Sequence, residues 1–308
     1  MKVLNFGSLN IDFVYQVDHF AEKGETIASN ALRVYCGGKG LNQSIAMARA
    51  NAEVYHAGVV GEDGGFLIKA LKEAGVNTDC VLKKGDSRSG NAVIQIDSMG
   101  DNCIILFGGA NREIERSYVD EVIRKFEKGD FLVLQNEISE LGYIVEKAHE
   151  KGMVIVLNPS PIDENIFNLP ISYIDYLVFN EVEGRQLTNS KEEGEAVLRL
   201  LYQKYPKVRM ILTLGDEGSM FFDGGQLIRQ EALKVRAVDT TAAGDTYTGY
   251  LVASLLKGEK IKNAMRTAAA AASLAVMKQG ASPSIPEAEE VEQMLIHNFM
   301  NEMNSGFL

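Results

Sequence analysis

Residues 131–157 read FLVLQNEISELGYIVEKAHEKGMVIVL, and the pattern of this stretch predicts the class of fold. Two short apolar runs, at Phe131–Gln135 and 153–157, stand on either side of a segment with helical periodicity at 138–151. Uninterrupted apolar runs of this length are typical of parallel strands that are buried on both faces. The stretch therefore predicts a strand, a crossover helix and a second, parallel strand.

The same alternation continues toward the C-terminus. Apolar runs recur at 176–179 and 210–214, an amphipathic segment occupies 192–205, and residues 221–225 have the pattern of a short hairpin. Three further helices are predicted to begin near Ala243, Lys260 and Glu287. We therefore expect an α/β fold with a doubly wound, mainly parallel sheet and helices on both of its faces.

Residues 1–110 have a different pattern. Strand character without helical periodicity occurs at 12–17 and 26–35, and residues 91–97 form a predicted hairpin with Asn102–Phe107. A helix-rich stretch at 40–75 separates these strand regions. Because so few strands cannot enclose a large core of their own, they are predicted to form a small β-sheet lid on the α/β body.

We expect residues 1–308 to form a single domain, with lid strands from about 12–35 and 91–107. Such a lid could exclude water from a site beneath it. One face of the lid would be apolar and would need a covering partner. We therefore also expect a homodimer that forms through the lids.

The charge of the chain limits its partners. The formal net charge is −11, and no basic run exceeds two or three residues. An acidic surface repels both nucleic acid and anionic membranes, so we expect neither as a partner. A phosphate ligand would have to be held by local backbone donors, a few side chains and a metal ion.

Cysteine usage and the absence of long apolar segments point to one compartment. Cys36, Cys80 and Cys103 are far apart and form no CxxC pair, which suits a reducing environment. The longest run of small apolar residues, 268–277, is too short to cross a bilayer, and the N-terminus lacks the apolar region of a signal peptide. We expect a cytoplasmic protein.

Polar residues follow the apolar runs, at the points where the predicted strands end. Because the carboxyl ends of parallel strands meet at one edge of a sheet, these residues are predicted to form one ligand-binding rim. Turns also favour Asn, Asp and Gly, so a single such residue would indicate little. The residues concerned are Asn10, Asp12, Glu137, Asn158, Asn180, Glu183 and Gly215.

The segment DTTAAGDTY at residues 239–247 has the pattern of an anion site. Small residues precede a helix that is predicted to begin near Gly244, so backbone N–H groups could converge on an anion there. Asp245 would then lie where a carboxylate can take the proton of an acceptor hydroxyl. An ordinary helix N-cap would have a similar sequence, and the segment alone leaves both interpretations open.

The segment CGGKGLNQ at residues 36–43 combines close backbone approach with hydrogen-bond donors. Its donors are Lys39, Asn42 and Gln43. It is no Walker A loop, because Gly follows the Gly-Lys pair, and it is no dinucleotide fingerprint, because Gln43 stands where the last glycine belongs. A plain glycine-rich turn before a helix is the alternative.

These segments belong to an ordered series of motifs between about Val3 and Pro286. The series is GSLNID at 7–12, GGKGLNQ at 37–43, GEDG at 61–64, GAN at 109–111, QNE at 135–137, NPSP at 158–161, NEVE at 180–183, TLGDEG at 213–218, DTTAAGD at 239–245 and GASPSIP at 280–286. It resembles the ribokinase-like (phosphofructokinase-B type) carbohydrate kinases, and among them most closely the ribokinases. The resemblance implies the ribokinase-like α/β fold and ATP-dependent phosphorylation of a primary hydroxyl, with D-ribose as the expected acceptor.

The resemblance also implies roles for individual residues. Asp245 would be the catalytic base, and the backbone of Ala242, Ala243 and Gly244 would form the anion hole. The sugar would contact Asn10, Asp12, Gly38, Lys39, Asn42 and Glu137 as well as Asp245. The nucleotide would contact Asn180, Thr213, Gly215, Gly218 and Gly244.

The same resemblance implies binding sites for two kinds of cation. Mg²⁺ would be organised by Glu183, largely through water. A monovalent cation, expected to be K⁺, would lie beside the anion hole, and Lys278 would offer it only its carbonyl oxygen. The positions implied for this ion are Asp239, Thr241, Ala275, Lys278, Gly280 and Ser284.

Some residues depart from the pattern of the ribokinases. Asn136 is polar where an apolar residue is usual, and 87–91 departs from the usual Ser-Thr-Gly. Arg88 and Asn91 could favour a different or more anionic substrate, although Arg88 could equally be a solvated surface residue. The alternatives are therefore a kinase of a ketohexose, 2-keto-3-deoxygluconate or a nucleoside, or a non-catalytic sensor on the same fold. A dinucleotide-dependent oxidoreductase is disfavoured by the missing fingerprint.

Overall fold

The computed structural model describes the backbone of residues 1–305 and the side chains of residues 1–298. The strands in this part of the chain are β1 (Val3–Phe6), β2 (Asn10–Gln16), β3 (Ala31–Gly37), β4 (Val54–Val60), β5 (Asn77–Lys83), β6 (Gly90–Ile96), β7 (Asn102–Phe107), β8 (Phe131–Gln135), β9 (Val154–Asn158), β10 (Tyr176–Asn180), β11 (Arg209–Thr213), β12 (Ser219–Phe222) and β13 (Leu227–Gln230). Within residues 1–305, nine of these strands form one sheet in the order β13-β12-β11-β10-β9-β8-β1-β4-β5. Every pairing from β5 to β11 is parallel, and β12 and β13 add an antiparallel edge.

Helices cover both faces of this sheet, so the predicted fold class is confirmed. The helices are α1 (Lys39–Arg49), α2 (Gly65–Glu73), α3 (Arg116–Ile123), α4 (Leu141–Lys151), α5 (Glu181–Thr188), α6 (Glu195–Lys204), α7 (Ala243–Leu256), α8 (Ile261–Ala275) and α9 (Ala288–Ser305). Side chains of α3, α4 and α6 pack on one face of the sheet, and those of α1, α2, α7, α8 and α9 pack on the other. In the part of the chain that the structure describes, no helix has the length and apolar character needed to span a bilayer.

The strand pleat explains why the apolar runs of the sequence are continuous. In β1, Leu4 and Phe6 join the core beneath α3, α4 and α6, whereas Val3 joins the core on the opposite face. Successive side chains of a strand point to opposite faces, and here both faces are buried. A central strand of this sheet therefore needs apolar residues at nearly every position.

The stretch predicted to be helix-rich, 40–75, contains α1 and α2, but between them lies β4, a strand that was not predicted. This strand pairs in parallel with β1 on one side and with β5 on the other. Its sequence, VYHAGVV, includes His56 and Gly58, which break up the apolar run that would have marked a buried strand. The fold nevertheless buries His56 completely.

A separate four-stranded sheet, in the order β3-β2-β6-β7, lies within the same described residues. The strand predicted at 26–35 begins later, because β3 pairs with β2 only from Ala31 to Gly37. The hairpin predicted for β6 and β7 is present, with Ile96 opposite Asn102 at its turn. We call these four strands the small sheet. Several of its apolar side chains are exposed, namely Leu32, Val34, Ile104, Ile105, Leu106 and Phe107.

The helices α1 and α7, at whose starts the CGGKGLNQ and DTTAAGD motifs lie, pack closely against each other. Gly249 of α7 makes this approach possible. A Cβ at Gly249 would lie 2.4 Å from the Cβ of Ala46 and 3.0 Å from the backbone nitrogen of Met47. Backbone-to-backbone contact at this point fixes how the N-terminal ends of the two helices face each other.

Candidate active site

A cleft of about 240 Å³ opens at the carboxyl edge of the large sheet, where the polar rim was predicted. It is lined by Lys39, Asn158, Ser160, Val178, Phe179, Asn180, Glu183, Thr213, Thr240, Ala242, Ala243, Gly244, Asp245 and Thr248. A second cavity of about 440 Å³ lies toward the small sheet. It is lined by Asn10, Leu106, Phe107, Gly108, Gly109, Asn111, Arg112, Glu113 and Glu137. The site therefore extends from the large sheet to the edge of the small sheet.

The start of α7 presents bare backbone to the cleft. Ala242 has a left-handed φ of 61°, and the N–H of Ala243 turns back to the carbonyl of Thr240 at 3.2 Å. Within residues 1–305, the N–H groups of Ala242, Gly244 and Asp245 have no acceptor. A Cβ at Gly244 would meet no atom within 4 Å, so open space adjoins the helix end. The free donors for an anion are therefore those of Ala242, Gly244 and Asp245, whereas the Ala243 N–H is already paired.

Asp245 is buried at the bottom of this cleft, with only 9% of its surface exposed. Its carboxylate accepts hydrogen bonds from Asn42 Nδ2 and from Gln43 Nε2, each at 3.0 Å. Burial raises the pKa of Asp245 above its ordinary value, although the Lys39 ammonium and the two amide donors oppose that rise. A buried carboxylate that is held by neutral donors has the properties of a general base.

The glycine-rich loop carries Lys39 into the same cleft. The Lys39 N–H donates to Glu137 Oε2 at 3.1 Å, and the Gly40 N–H donates to Ser8 Oγ at 3.2 Å. A Cβ at Gly40 would lie 2.4 Å from the Ser8 nitrogen, so the loop meets the backbone of the segment that follows β1. Ser8, which the sequence did not single out, also donates its hydroxyl to Glu137.

The Lys39 ammonium brings a positive charge into the first cleft. Burial acts to lower the pKa of Lys39, but Asp245, Glu137, Glu183 and Asp12 outweigh it and raise the pKa above its usual value. Lys39 therefore stays protonated. Its side chain lies beside Asn180 and Glu183 as well as Asp245, so it faces the nucleotide end of the predicted site as much as the sugar end.

The carboxylates of Asp12, Glu137 and Asp245 face one another around the sugar end. Burial raises the pKa of Asp12 to about 7, and the neighbouring charges of Glu137 and Asp245 add to this effect. Among the residues that the structure describes, none donates a hydrogen bond to the Asp12 carboxylate. A Cβ at Gly37 would lie 1.9 Å from Asp12 Oδ2, so only glycine leaves room for this side chain.

Amide groups at the sugar end have unused hydrogen-bonding capacity. Asn10 Oδ1 accepts from Asn111 Nδ2 at 2.7 Å, which turns the Asn10 nitrogen toward the second cavity. Asn42 Oδ1 is buried, and no group in the described part of the chain pairs with it. Since a buried unpaired polar atom costs about 1–3 kcal/mol, these atoms are suited to pair with hydroxyls of a ligand.

Asn180 and Glu183 form a capping box at the start of α5. The Asn180 side chain accepts from the Glu183 N–H, and the Glu183 carboxylate accepts from the Asn180 N–H and from its Nδ2. Thr213 also lines the cleft. Gly215 and Gly218 lie beyond its lining residues, and both have positive φ. A Cβ at Gly218 would lie 2.0 Å from the Gln230 carbonyl oxygen. Contact with β13 is therefore sufficient to explain the glycine at this position.

Asp239 joins the two segments that were predicted to hold a monovalent cation. Its carboxylate accepts from the N–H and hydroxyl of Thr241 at 2.9 and 2.6 Å, and from the Gly280 N–H at 2.9 Å. The Lys278 ammonium lies 2.7 Å from Glu290 of α9. It therefore points away from this segment. Ser284 is fully buried in the same loop, and its hydroxyl donates to the Ala281 carbonyl.

The departures from the ribokinase pattern have local structural explanations. Asn136 donates to the Pro161 carbonyl at 2.7 Å and to Asp163 at 2.9 Å, so its amide turns away from the sugar end. The Arg88 side chain is 78% exposed and pairs with Asp63. Neither residue contacts the cavities described above. The sequence assigned no role to two further residues. Asn111 lines the second cavity and donates to Asn10, and Gln135 lies beneath the site and donates to Gln43.

Comparison with known proteins agrees with this geometry. The pattern of the pfkB family carbohydrate kinases matches residues 1–288. The ribokinase of Staphylococcus aureus (strain COL) is 35% identical over 304 residues, which cover 95% of this chain and 99% of that protein. The structure of Arabidopsis thaliana ribokinase complexed with ribose and ATP has a TM-score of 0.84 and 30% identity, and covers 96% of this chain and 98% of that one. Ribokinase from Cryptococcus neoformans var. grubii serotype A in complex with ADP gives a TM-score of 0.83 at 30% identity, over 95% of this chain and 99% of that one. The chain belongs to the pfkB family of carbohydrate kinases, as its motifs predicted.

Proposed function

We propose that the protein transfers the γ-phosphoryl group of ATP to the primary hydroxyl of D-ribose and releases ribose 5-phosphate and ADP. The observation that carries this proposal is the buried Asp245 carboxylate at the start of α7, between free backbone N–H groups and a pocket of amides and carboxylates. The relatives named above, a ribokinase at 35% identity and a ribokinase bound to ribose and ATP, support ribose as the acceptor.

Different residues of the chain would carry the proton transfer and the stabilisation of the phosphoryl group. As the sugar oxygen bonds to the γ-phosphorus, its proton passes to the Asp245 carboxylate, and the bond from that phosphorus to the oxygen of ADP breaks. The N–H groups of Gly244 and Asp245 would receive the oxygens of the moving phosphoryl group. Lys39, which stays protonated, would balance their negative charge from the other side of the cleft.

The sugar end would bind ribose through paired donors and acceptors. Asp12 and Glu137 accept hydrogen bonds from sugar hydroxyls, while Asn10 and Asn42 offer a donor and an acceptor that the protein leaves unused. Each hydroxyl that failed to pair would cost about 1–3 kcal/mol. Loss of one hydroxyl from the substrate is therefore expected to weaken binding markedly.

Glu183 and Asn180 fit a magnesium site that acts mainly through water. Both Glu183 oxygens already accept hydrogen bonds from Asn180, so the carboxylate is held rigidly at the wall of the cleft. Mg²⁺ prefers oxygen ligands and usually keeps several of its bound water molecules. When bound, Mg²⁺ would supply positive charge next to the phosphate oxygens of the nucleotide.

The loop around Asp239 fits a monovalent cation. The backbone carbonyls of Ala275, Lys278 and Gly280 lie on the segment that Asp239 holds, through the Gly280 N–H, next to the start of the anion hole. The Lys278 ammonium is directed to Glu290 instead.

We expect kcat to rise when K⁺ replaces Na⁺ at constant ionic strength in the assay. Equal rates in the two salts would contradict a selective cation site.

We also propose that the protein is a cytoplasmic homodimer that forms through the small sheet. The edge strand β7 exposes Ile104, Ile105 and Phe107, and an apolar edge of this kind is usually covered by a partner. Cys36, Cys80 and Cys103 are free thiols, which suits a reducing cytosol.

The dimer prediction is tested by Ile105→Asp, which places a charge on the exposed edge. Light scattering should give a dimer for the wild-type protein and a monomer for this variant. Phe167→Asp is the matched control, because Phe167 is an exposed apolar residue outside the small sheet, and it should leave the dimer intact. A wild-type monomer at micromolar concentration would refute the proposal.

The catalytic role of Asp245 is tested by Asp245→Asn, which keeps the shape of the side chain and removes its basicity. Turnover of ribose should fall by about 10²–10⁴-fold, whereas ATP binding should change little. A coupled assay of ADP release gives the rate, and calorimetry gives the ATP affinity. Wild-type turnover by the variant would refute the proposed mechanism.

The same assay tests the acceptor. Ribose should be the best substrate of a panel that also contains a ketohexose, 2-keto-3-deoxygluconate and a nucleoside. Turnover of one of these with none on ribose would reject ribose while leaving the kinase in place. Binding of sugar and ATP without turnover of any substrate would instead indicate a sensor.

The titration of Asp12 should make the folding stability of the protein depend on pH. Its pKa of about 7 in the folded protein exceeds its ordinary value of 3.8, so the stability that it contributes is fully present below pH 3.8 and is lost as the pH rises through about 7. Asp12→Asn removes this loss. The variant should therefore melt at a higher temperature than the wild-type protein at alkaline pH, by a margin that shrinks as the pH falls, while its KM for ribose rises.

Asp163→Asn is the control for this titration. Burial acts to raise the pKa of Asp163, but hydrogen bonds from Asn136 and Asn165 outweigh it and lower the pKa. Its replacement should therefore destabilise the protein at neutral pH and less so in acid, which is the opposite trend. Thermal melts of the three proteins across the pH range make the comparison. A constant difference between Asp12→Asn and wild type would contradict the assignment.

A further inference from the structure

A chain of buried amide side chains runs from Asp245 into the centre of the molecule. Gln43 Nε2 donates to Asp245 Oδ1 at 3.0 Å, and Gln43 Oε1 accepts from Gln135 Nε2 at 2.7 Å. Gln135 Nε2 also donates to Asn5 Oδ1 at 3.0 Å. Asn5, Gln43 and Gln135 are all 0% exposed. Gln135 itself touches neither cavity, so substrate binding does not explain it.

Gln135 and Asn158 together set the orientation of Gln43, because Gln43 Oε1 accepts from Gln135 and Gln43 Nε2 donates to Asn158 Oδ1 at 3.4 Å as well as to Asp245. An amide nitrogen has two hydrogens, and Gln135 gives one to Gln43 and the other to Asn5. The Gln43 oxygen must therefore face Gln135, which leaves its nitrogen to face Asp245. A flipped Gln43 amide would place an oxygen against the Asp245 carboxylate and a nitrogen against the Gln135 nitrogen. Both contacts would be repulsive.

A second branch fixes the other end of the chain. Asn5 Nδ2 donates to the Gly40 carbonyl at 2.7 Å and to Ser44 Oγ at 2.8 Å, so Asn5 must turn its oxygen toward Gln135. Ser44 Oγ lies 2.8 Å from Nδ1 of His56. Burial lowers the pKa of His56 to about 3, so this branch ends on a neutral imidazole. Gln135 is thus held from the side that faces away from Asp245.

Gln135 is costly to bury. Its Oε1 is enclosed without a partner among the described residues and packs against Gly7, where a Cβ would lie 2.4 Å from it. An unpaired buried acceptor costs about 1–3 kcal/mol. The nitrogen of the same amide pairs two further buried acceptors, Asn5 Oδ1 and Gln43 Oε1, which an apolar side chain would leave without a donor. The amide at this position is therefore explained by the two side chains that it holds.

We propose that Gln135 is a positioning residue, which fixes the Gln43 amide so that it orients the Asp245 carboxylate and favours its ionised form. The proposal rests on the proposed role of Asp245 as the base. Gln135 lines neither cavity, and it acts on Asp245 through Gln43.

The charged groups around Asp245 are distinct from this chain of amides. Lys39 faces Asp245 from α1 and Asp12 faces it from β2, while Glu137 and Glu183 lie around the same ammonium. Replacing Gln135 with methionine leaves all of these charges in place. A change in the titration of the base would therefore report the Gln43 hydrogen bond.

The test begins with Gln135→Met. The variant should lose about tenfold in kcat with little change in KM for ribose, because only the alignment of the base is affected. The acidic limb of its pH–rate profile, measured between about pH 5 and 9, should move to higher pH, since the ionised carboxylate loses a well-oriented donor. An unchanged kcat and an unchanged limb would overturn the proposal.

A double-mutant cycle with Gln43→Met separates positioning from general damage. If Gln135 acts through Gln43, the double variant should have the same kcat as Gln43→Met alone. Losses in kcat that multiply would show that Gln135 acts independently, and the proposal would be rejected.

Ser44→Ala is the matched control, because Ser44 is equally buried and belongs to the branch that leads away from Asp245. It should lower the melting temperature and leave the acidic limb where it is. If Ser44→Ala shifted that limb as far as Gln135→Met does, the shift would be a general result of destabilising the core. The positioning role of Gln135 would then be rejected.

A measurement on the wild-type protein keeps the proposal testable if Gln135→Met does not fold. In an NMR titration of protein labelled with ¹⁵N-glutamine, the chemical shift of the Gln43 side-chain amide should change with pH. The midpoint of that change should equal the midpoint of the acidic limb. A signal that does not respond to pH would overturn the proposal. An inactive Asp245→Asn beside a fully active Gln135→Met would reject the positioning role alone, whereas an active Asp245→Asn would reject the base as well.

Discussion

The site depends on the burial of one negative charge, that of Asp245, at the start of α7. An isolated carboxylate could not stay ionised there, because removal from water costs several kcal/mol per ion. The Lys39 ammonium and the amides of Asn42 and Gln43 compensate it, and all three belong to α1. The close packing of α1 against α7 at Gly249 is therefore a condition for the chemistry as well as for the core.

Electrostatic strain is concentrated at the sugar end of the site. Asp12, Glu137 and Asp245 bring like charges together around the single ammonium of Lys39, and the pKa of Asp12 rises to about 7 as a result of burial and of its neighbours. Hydroxyl groups of a sugar would supply the donors that Asp12 lacks in the protein alone. The arrangement thus sacrifices stability of the free protein for interactions that form only with ligand present.

Glycine has a different function at each end of the site. At Gly37 and Gly40 it lets the loop pass close to Asp12 and to the backbone of Ser8, so that Glu137 can hold the loop from the opposite side. At Gly244 it leaves open space beside free N–H groups. Gly218, by contrast, is required by its contact with β13, so a glycine in a family motif need not touch the nucleotide.

The fold class, the small sheet and the order of the motifs could be predicted from the sequence, because strand burial and helix periodicity show in the pattern of neighbouring residues. Three features depend on tertiary packing instead: β4 lies beside β1, the amide of Asn136 turns to Asp163, and Gln135 reaches Asp245 through Gln43. Gln43 and Gln135 are 92 residues apart. The direction of a hydrogen bond between such distant side chains depends on every neighbour that competes for the same donor, and no local pattern records that competition.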